Sequence, residues 1–152
     1  MKKQFFAIAA IALMLTACSD DQQEMDVKVS VQPGTAADFK SNPNVRDRVF
    51  FGFNESKVSK SAKKALESQA TWLKTYSSTK VTIEGKCDIR GTGEYNQALG
   101  QARADATKKA LVKMGVEIDR VKTVSYGKER PEVPGDTPEA HAQNRVAITV
   151  ID

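Results

Sequence analysis

Residues 80–106, KVTIEGKCDIRGTGEYNQALGQARADA, hold the change of period that decides the fold. Val81, Ile83, Gly85 and Cys87 alternate with Thr82, Glu84 and Lys86. That is the period of a strand with one face toward a core, and it sets Lys86 on the outer face. From about Tyr95 the spacing lengthens. Leu99, Ala102, Ala106 and Ala110 fall on one stripe of a helix that runs to Met114, with Gly115 just past its end. Between the two patterns, residues 85–97 carry a thiol, charges of both signs and three glycines. One glycine suffices for a turn, so the surplus points to a backbone that comes close to a charged ligand.

Working outward, RVFFGF at 48–53 is a short apolar strand. Ser59 or Ser61 caps a helix carrying Ala62, Leu66, Ala70 and Leu73, with Trp72 and Tyr76 at its core or rim. Downstream, RVKTVSYG at 120–127 is a third strand, and Pro131, Pro134, Gly135 and Pro138 mark a loop. A helical turn at 139–143 precedes a last strand, RVAITVI at 145–151. Its alternation predicts Val146, Ile148 and Val150 on a covered face, with Ala147 and Thr149 on a wet one. The order β-α-β-α-β-(α)-β predicts an α+β domain over residues 45–152, with helices packed on a mixed sheet.

The first seventeen residues have the layout of a secretory signal peptide: Lys2 and Lys3, the apolar run FFAIAAIALML, then small residues. The run is too short to span a membrane, which takes about 20 apolar residues. Leu15-Thr16-Ala17-Cys18 resembles a bacterial lipobox. The resemblance implies a diacylglycerol on Cys18, cleavage before it and acylation of the new amino group. Ser19, not Asp, follows Cys18, which points to sorting to the outer membrane. Residues 18–44 are polar, broken by Pro33, Gly34 and Pro43, and read as a lipidated N-terminus with a flexible tether.

The formal net charge is +4, and loss of the leader removes Lys2 and Lys3 from that total. No basic cluster with interleaved aromatics is present, which argues against nucleic acid as a partner. With Cys18 lipidated, Cys87 is the one remaining thiol, and facing inward it reads as a small buried hydrophobe.

Asp88 ends the central strand, Asn96 lies in the first turn of the long helix, and Arg103 lies two turns further along the same face. Folded together they offer a carboxylate, an amide, a guanidinium and helix N–H groups. Such a set matches a zwitterion, its ammonium on Asp88 and its carboxylate on Arg103 and the amides. The same spacing also fits a structural Asp88–Arg103 salt bridge, with Asp88 or Thr92 capping a turn.

GKCDIRGTGEYNQALGQARADA, preceded by RVFFGFN and followed by SYGKERPEVPG and NRVAITV, resembles the OmpA-like peptidoglycan-binding domain over residues 46–151. The resemblance implies the OmpA-like C-terminal domain fold and a non-covalent site for diaminopimelate in the peptidoglycan stem peptide, whose free end is a zwitterion. Matched by position, it implies that Asp88 holds the ammonium and Arg103 the carboxylate. Asn96 and Asn54 would supply polar contacts, and Arg145 would line or support the site. For lipid-anchored members it implies a tether between outer membrane and cell wall, and docking onto TolB of the Tol system in envelope integrity and cell division. The alternative is a structural lipoprotein or surface antigen of the same fold outside that system. The chain departs from the family pattern at several positions. Lys86 stands where the family usually has His, Ile89 where Glu is common, and Ala102 and Val146 where Arg is frequent. Asn54 stands where lipid-anchored members typically have Asp. Lys86 would bring a cation near the ammonium site.

An enzyme is not expected. His141, the only histidine, lies in a polar turn, and Ser125 has no base partner at a telling spacing. Asp88 and Glu94 form a carboxylate pair only on paper, because a glycosidase needs a defined separation across a sugar. No metal-ligand spacing appears, so neither a metal nor a cofactor is expected.

Overall fold

The computed structural model describes residues 30–152; the leader, Cys18 and the tether up to residue 29 lie outside the described residues. Strands β1 (Arg48–Phe50), β2 (Val81–Lys86), β3 (Val121–Gly127) and β4 (Val146–Ile151) form one sheet in the order β1-β4-β2-β3. β2 and β3 are parallel, and β4 runs antiparallel to both β1 and β2. The sheet is mixed, as the element order predicts. Among the described residues the helices are α1 (Ala36–Ser41), α2 (Lys60–Thr75), α3 (Gly93–Lys113) and α4 (Pro138–Asn144), with a 3-10 turn at Ile118–Arg120.

Ser59 starts α2, its hydroxyl accepting from the Ala62 N–H at 3.1 Å. Ala62, Leu66, Ala70 and Leu73 are buried at the expected spacing. Each of the two leucines contributes about 1.5–3 kcal/mol by leaving water. Trp72 is buried too, and it explains α1. Phe39 packs edge-on against the Trp72 ring at 4.9 Å, and the indole N–H donates to Asp38 at 3.0 Å. The stretch expected to be tether is therefore helical at Ala36–Ser41. One buried aromatic and one N-cap, the Thr35 hydroxyl accepting from Asp38 N–H, outweigh the polar composition around them.

Two predicted faces are off by one residue. On α3 the buried positions are Asn96, Gly100, Arg103, Ala104, Thr107 and Leu111, not the stripe through Ala102 and Ala106. The reason is close approach: a Cβ on Gly85 of β2 would lie 1.8 Å from the Gly100 carbonyl oxygen. The helix lies directly on the strand there, so Gly100 and Ala104 set which side of α3 faces the sheet. On β4, Ala147 and Thr149 share the helix-covered face with their partners Gly85 and Ile83. Thr149 is tolerated there because its hydroxyl donates to Gln69 Oε1 at 2.6 Å.

Val146 and Ile148, expected under the helices, lie buried on the opposite face. Ile148 sits in one row between Arg48 and Glu84. A chain of charges crosses that row: Glu132 pairs with both Arg48 and Lys86, and Lys86 pairs with Glu84. These long side chains, with their apolar stems, cover the row beneath.

Candidate ligand-binding site

The site forms where β2 ends. Cys87 extends the ladder by one residue, its N–H donating to the Gly127 carbonyl at 2.8 Å. Its thiol lies under α3 and donates to the Asn96 carbonyl at 3.3 Å, and burial pushes its pKa up. Asp88 follows and is 4% exposed. Its Oδ1 accepts from the backbone N–H and the Nε of Arg90, both at 3.1 Å, and its Oδ2 accepts from Arg90 Nη2 at 2.7 Å. Arg145 Nη1 approaches Oδ2 at 3.5 Å. Burial pushes the Asp88 carboxyl upward, but the Arg90 hydrogen bonds outweigh it and hold the pKa below the ordinary carboxylate value.

Arg103 is 1% exposed, the largest fully buried side chain. Its Nε donates to the Glu55 carbonyl at 2.8 Å, Nη1 to Lys86 at 2.9 Å and Nη2 to Gly52 at 3.1 Å. It thereby ties the β1–α2 loop to the end of β2. Three of its N–H donors are used, of the five a guanidinium carries. Among the described residues no carboxylate lies within 4.0 Å of it, so the alternative reading, an Asp88–Arg103 salt bridge, is not formed. Burial lowers its pKa.

Asn96 staples the turn, its amide donating to the Arg90 carbonyl at 2.7 Å and the Thr92 carbonyl at 3.0 Å. Thr92 caps α3 by accepting from Tyr95 N–H at 3.2 Å. Asn54 is exposed and has a φ of 55°. It is the one non-glycine residue with positive φ among those described, and Asn bears that conformation better than most residues. Arg145 donates from Nε to the Phe51 carbonyl at 2.9 Å, bracing the loop and Asp88 together. Asp88, Arg103, Asn96 and Asn54 line one narrow cleft with Phe53, Cys87, Arg90 and Leu99. Its free volume is about 10 Å³.

The family model that matches the sequence is that of OmpA, over residues 50–145. The chain belongs to the OmpA family. Among its relatives, the peptidoglycan-associated lipoprotein of Brucella melitensis is 46% identical over 120 residues, 79% of this chain and 70% of the relative. That of Pasteurella multocida is 36% identical over 150 residues, 97% of this chain and 98% of the relative. The crystal structure of the peptidoglycan-associated lipoprotein from Burkholderia pseudomallei matches with a TM-score of 0.68 at 38% identity, covering 70% of this chain and 91% of that one.

Within this OmpA-family domain, sequence reading overlooked Arg90. The signal was available: an Asp two residues before an Arg in a tight turn lets the carboxylate accept from the arginine's own backbone N–H, which returns the guanidinium to it. Lys86 is a second difference. It is only 7% exposed, and its ammonium pairs with Glu132 on the far face of the sheet. What it presents to the site is its carbonyl, held by Arg103. The glycines also serve other ends than ligand approach. Gly85 admits α3, and Gly91, at φ 88°, makes the left-handed turn after Arg90.

Proposed function

We propose that this OmpA-family protein binds peptidoglycan non-covalently, through the zwitterionic end of diaminopimelate in the stem peptide. Asp88 receives the ammonium. Arg103, with Asn96, Asn54 and Arg145 around it, faces the carboxylate. The observation that carries this reading is the Arg103 guanidinium, buried with no carboxylate partner among the described residues yet lining the same cleft as a buried Asp88. A buried cation is stabilised by an anion brought to it, and a zwitterion brings that anion together with a cation for Asp88. The names of the Brucella, Pasteurella and Burkholderia relatives support the same reading. Lipid on Cys18 anchors the protein in the outer membrane and tethers that membrane to the wall, and TolB of the Tol system is its protein partner. The role is binding, not catalysis.

The test is co-sedimentation of the purified protein with cell-wall sacculi. It should pellet with sacculi containing diaminopimelate, pellet poorly with sacculi containing lysine, and release no soluble fragments. Failure to pellet with either would sink the proposal. Capture of TolB from solution tests the partner separately.

A further inference from the structure

Asp88 is not waiting empty for an ammonium. Arg90 already fills that role with two side-chain hydrogen bonds, at 2.7 and 3.1 Å. The remaining cleft, about 10 Å³, has room for about one water molecule. No amino-acid head group enters without displacing something. Most of the lining is committed: Arg103 to three carbonyls, Asn96 to two, and Cys87 to one. Arg90 is the exception. Its side chain is 39% exposed, and its guanidinium lies over the half-exposed Phe53 ring at 4.0 Å, a surface on which it can rest after leaving Asp88.

We propose that the ligand inserts into the Asp88–Arg90 pair, and that Arg90 is the residue that makes the site select a zwitterion over a simple amine. The inference rests on the binding reading above and adds a residue to it. A lone ammonium arriving at Asp88 evicts the guanidinium and leaves it without a counter-charge near a buried carboxylate. That exchange trades one ion pair for another and gains little. A zwitterion replaces both halves at once, its ammonium on Asp88 and its carboxylate between Arg103 and the released Arg90, which donates a two-pronged contact to it while stacked on Phe53. Discrimination then follows from charges left unpaired by the wrong ligand, not from the shape of the cleft.

The experiment titrates the purified protein and its Arg90→Ala variant with two stem tripeptides, one ending in meso-diaminopimelate and one ending in lysine. They differ by the carboxylate at the end of the side chain. The parent should prefer the diaminopimelate peptide. Arg90→Ala should lose at least tenfold affinity for it while binding the lysine peptide as well as the parent or better, so the preference collapses. Arg90→Lys should fall between the two, since an ammonium lacks the planar fork. Circular dichroism should match the parent, and the melt should remain a single transition, somewhat lowered by the loss of Arg90 from Asp88. If Arg90→Ala keeps the preference, or binds both peptides more tightly by the same factor, Arg90 only obstructs the site and the inference is overturned alone. If the parent binds neither peptide, the binding reading falls and this inference falls with it.

Discussion

Arg120 and Arg103 stand at opposite ends of the parallel β2–β3 pair and use their guanidinium groups in nearly the same way. Arg120 donates to the carbonyls of Thr79, Leu73 and Tyr76 at 2.7–2.9 Å, holding the C-terminal end of α2. Arg103 donates to the carbonyls of Glu55, Lys86 and Gly52 at 2.8–3.1 Å, holding the β1–α2 loop. Both are buried. They differ in charge balance. Glu117 closes over Arg120 Nη1 at 2.6 Å, so that end of the sheet is complete. At the other end the carboxylate beside Arg103 is engaged by Arg90 and approached by Arg145, so Arg103 is left without a counter-charge. Identical scaffolding work at both ends thus leaves only one end suited to a ligand, and the surplus charge distinguishes them.

That contrast is open to attack by mutation. The largest effect expected is from Arg103→Ala. Three carbonyls lose their donor, and at about 1–3 kcal/mol for each group left unsatisfied, partly relieved by water, the domain should lose roughly 3 kcal/mol in urea unfolding. Sacculus binding should go as well. A variant as stable as the parent that merely fails to bind would make Arg103 a ligand contact alone and break the comparison. Asp88→Ala comes next. Affinity for the diaminopimelate peptide should fall by about 2 kcal/mol or more, roughly thirtyfold, measured by titration. Stability should move by less than about 1 kcal/mol, because Arg90 returns to solvent. Equal losses of stability in Asp88→Ala and Arg103→Ala would mean that both residues are scaffold.

Arg120→Ala should cost somewhat less stability than Arg103→Ala, about 2 kcal/mol, and leave sacculus binding untouched. Loss of binding in a folded Arg120→Ala protein would mean that the two ends are coupled. The smallest effect is that of pH. The groups facing Asp88 are Arg90, Arg145 and His141. Because its folded pKa is lowered, the stability Asp88 contributes is complete above its unfolded value near ~3.9 and is lost as pH falls through the lower folded value. Unfolding measured from pH 8 to 5 should show no step from this group. Asp88→Asn should flatten the limb below about pH 4.

Much of the fold is legible in the chain. The periods of residues 81–87 and 60–75 place β2 and α2 where they occur, and of the two serines offered as the cap of α2 it is Ser59 that starts it. What misled was hydrophobicity used as a guide to direction. α3 buries Gly100 and Arg103 while exposing Ala102, because the close crossing at Gly85 admits only a glycine there and three carbonyls await the Arg103 guanidinium. β4 covers Thr149 with helices because Gln69 supplies a partner 80 positions away, a contact no local pattern contains. Lys86 is buried because Glu132, 46 positions away, pairs with its ammonium.

That these polar residues would gather was legible as well: Asp88, Asn96, Arg103 and Asn54 line one cleft, and Arg145 stands against Asp88. Their partners were not. By itself the sequence determined the α+β order, the caps, the polar junction between β2 and α3, and the charged residues available there, because these depend on periods and short spacings that neighbours along the chain impose. Only the tertiary structure decided that Asp88 pairs with Arg90 and not with Arg103, and that Arg103 is spent on three carbonyls from two distant segments. An ion pair is chosen by distances across the fold and by which competing acceptors are buried nearby, and neither quantity exists until the sheet and helix have closed on each other.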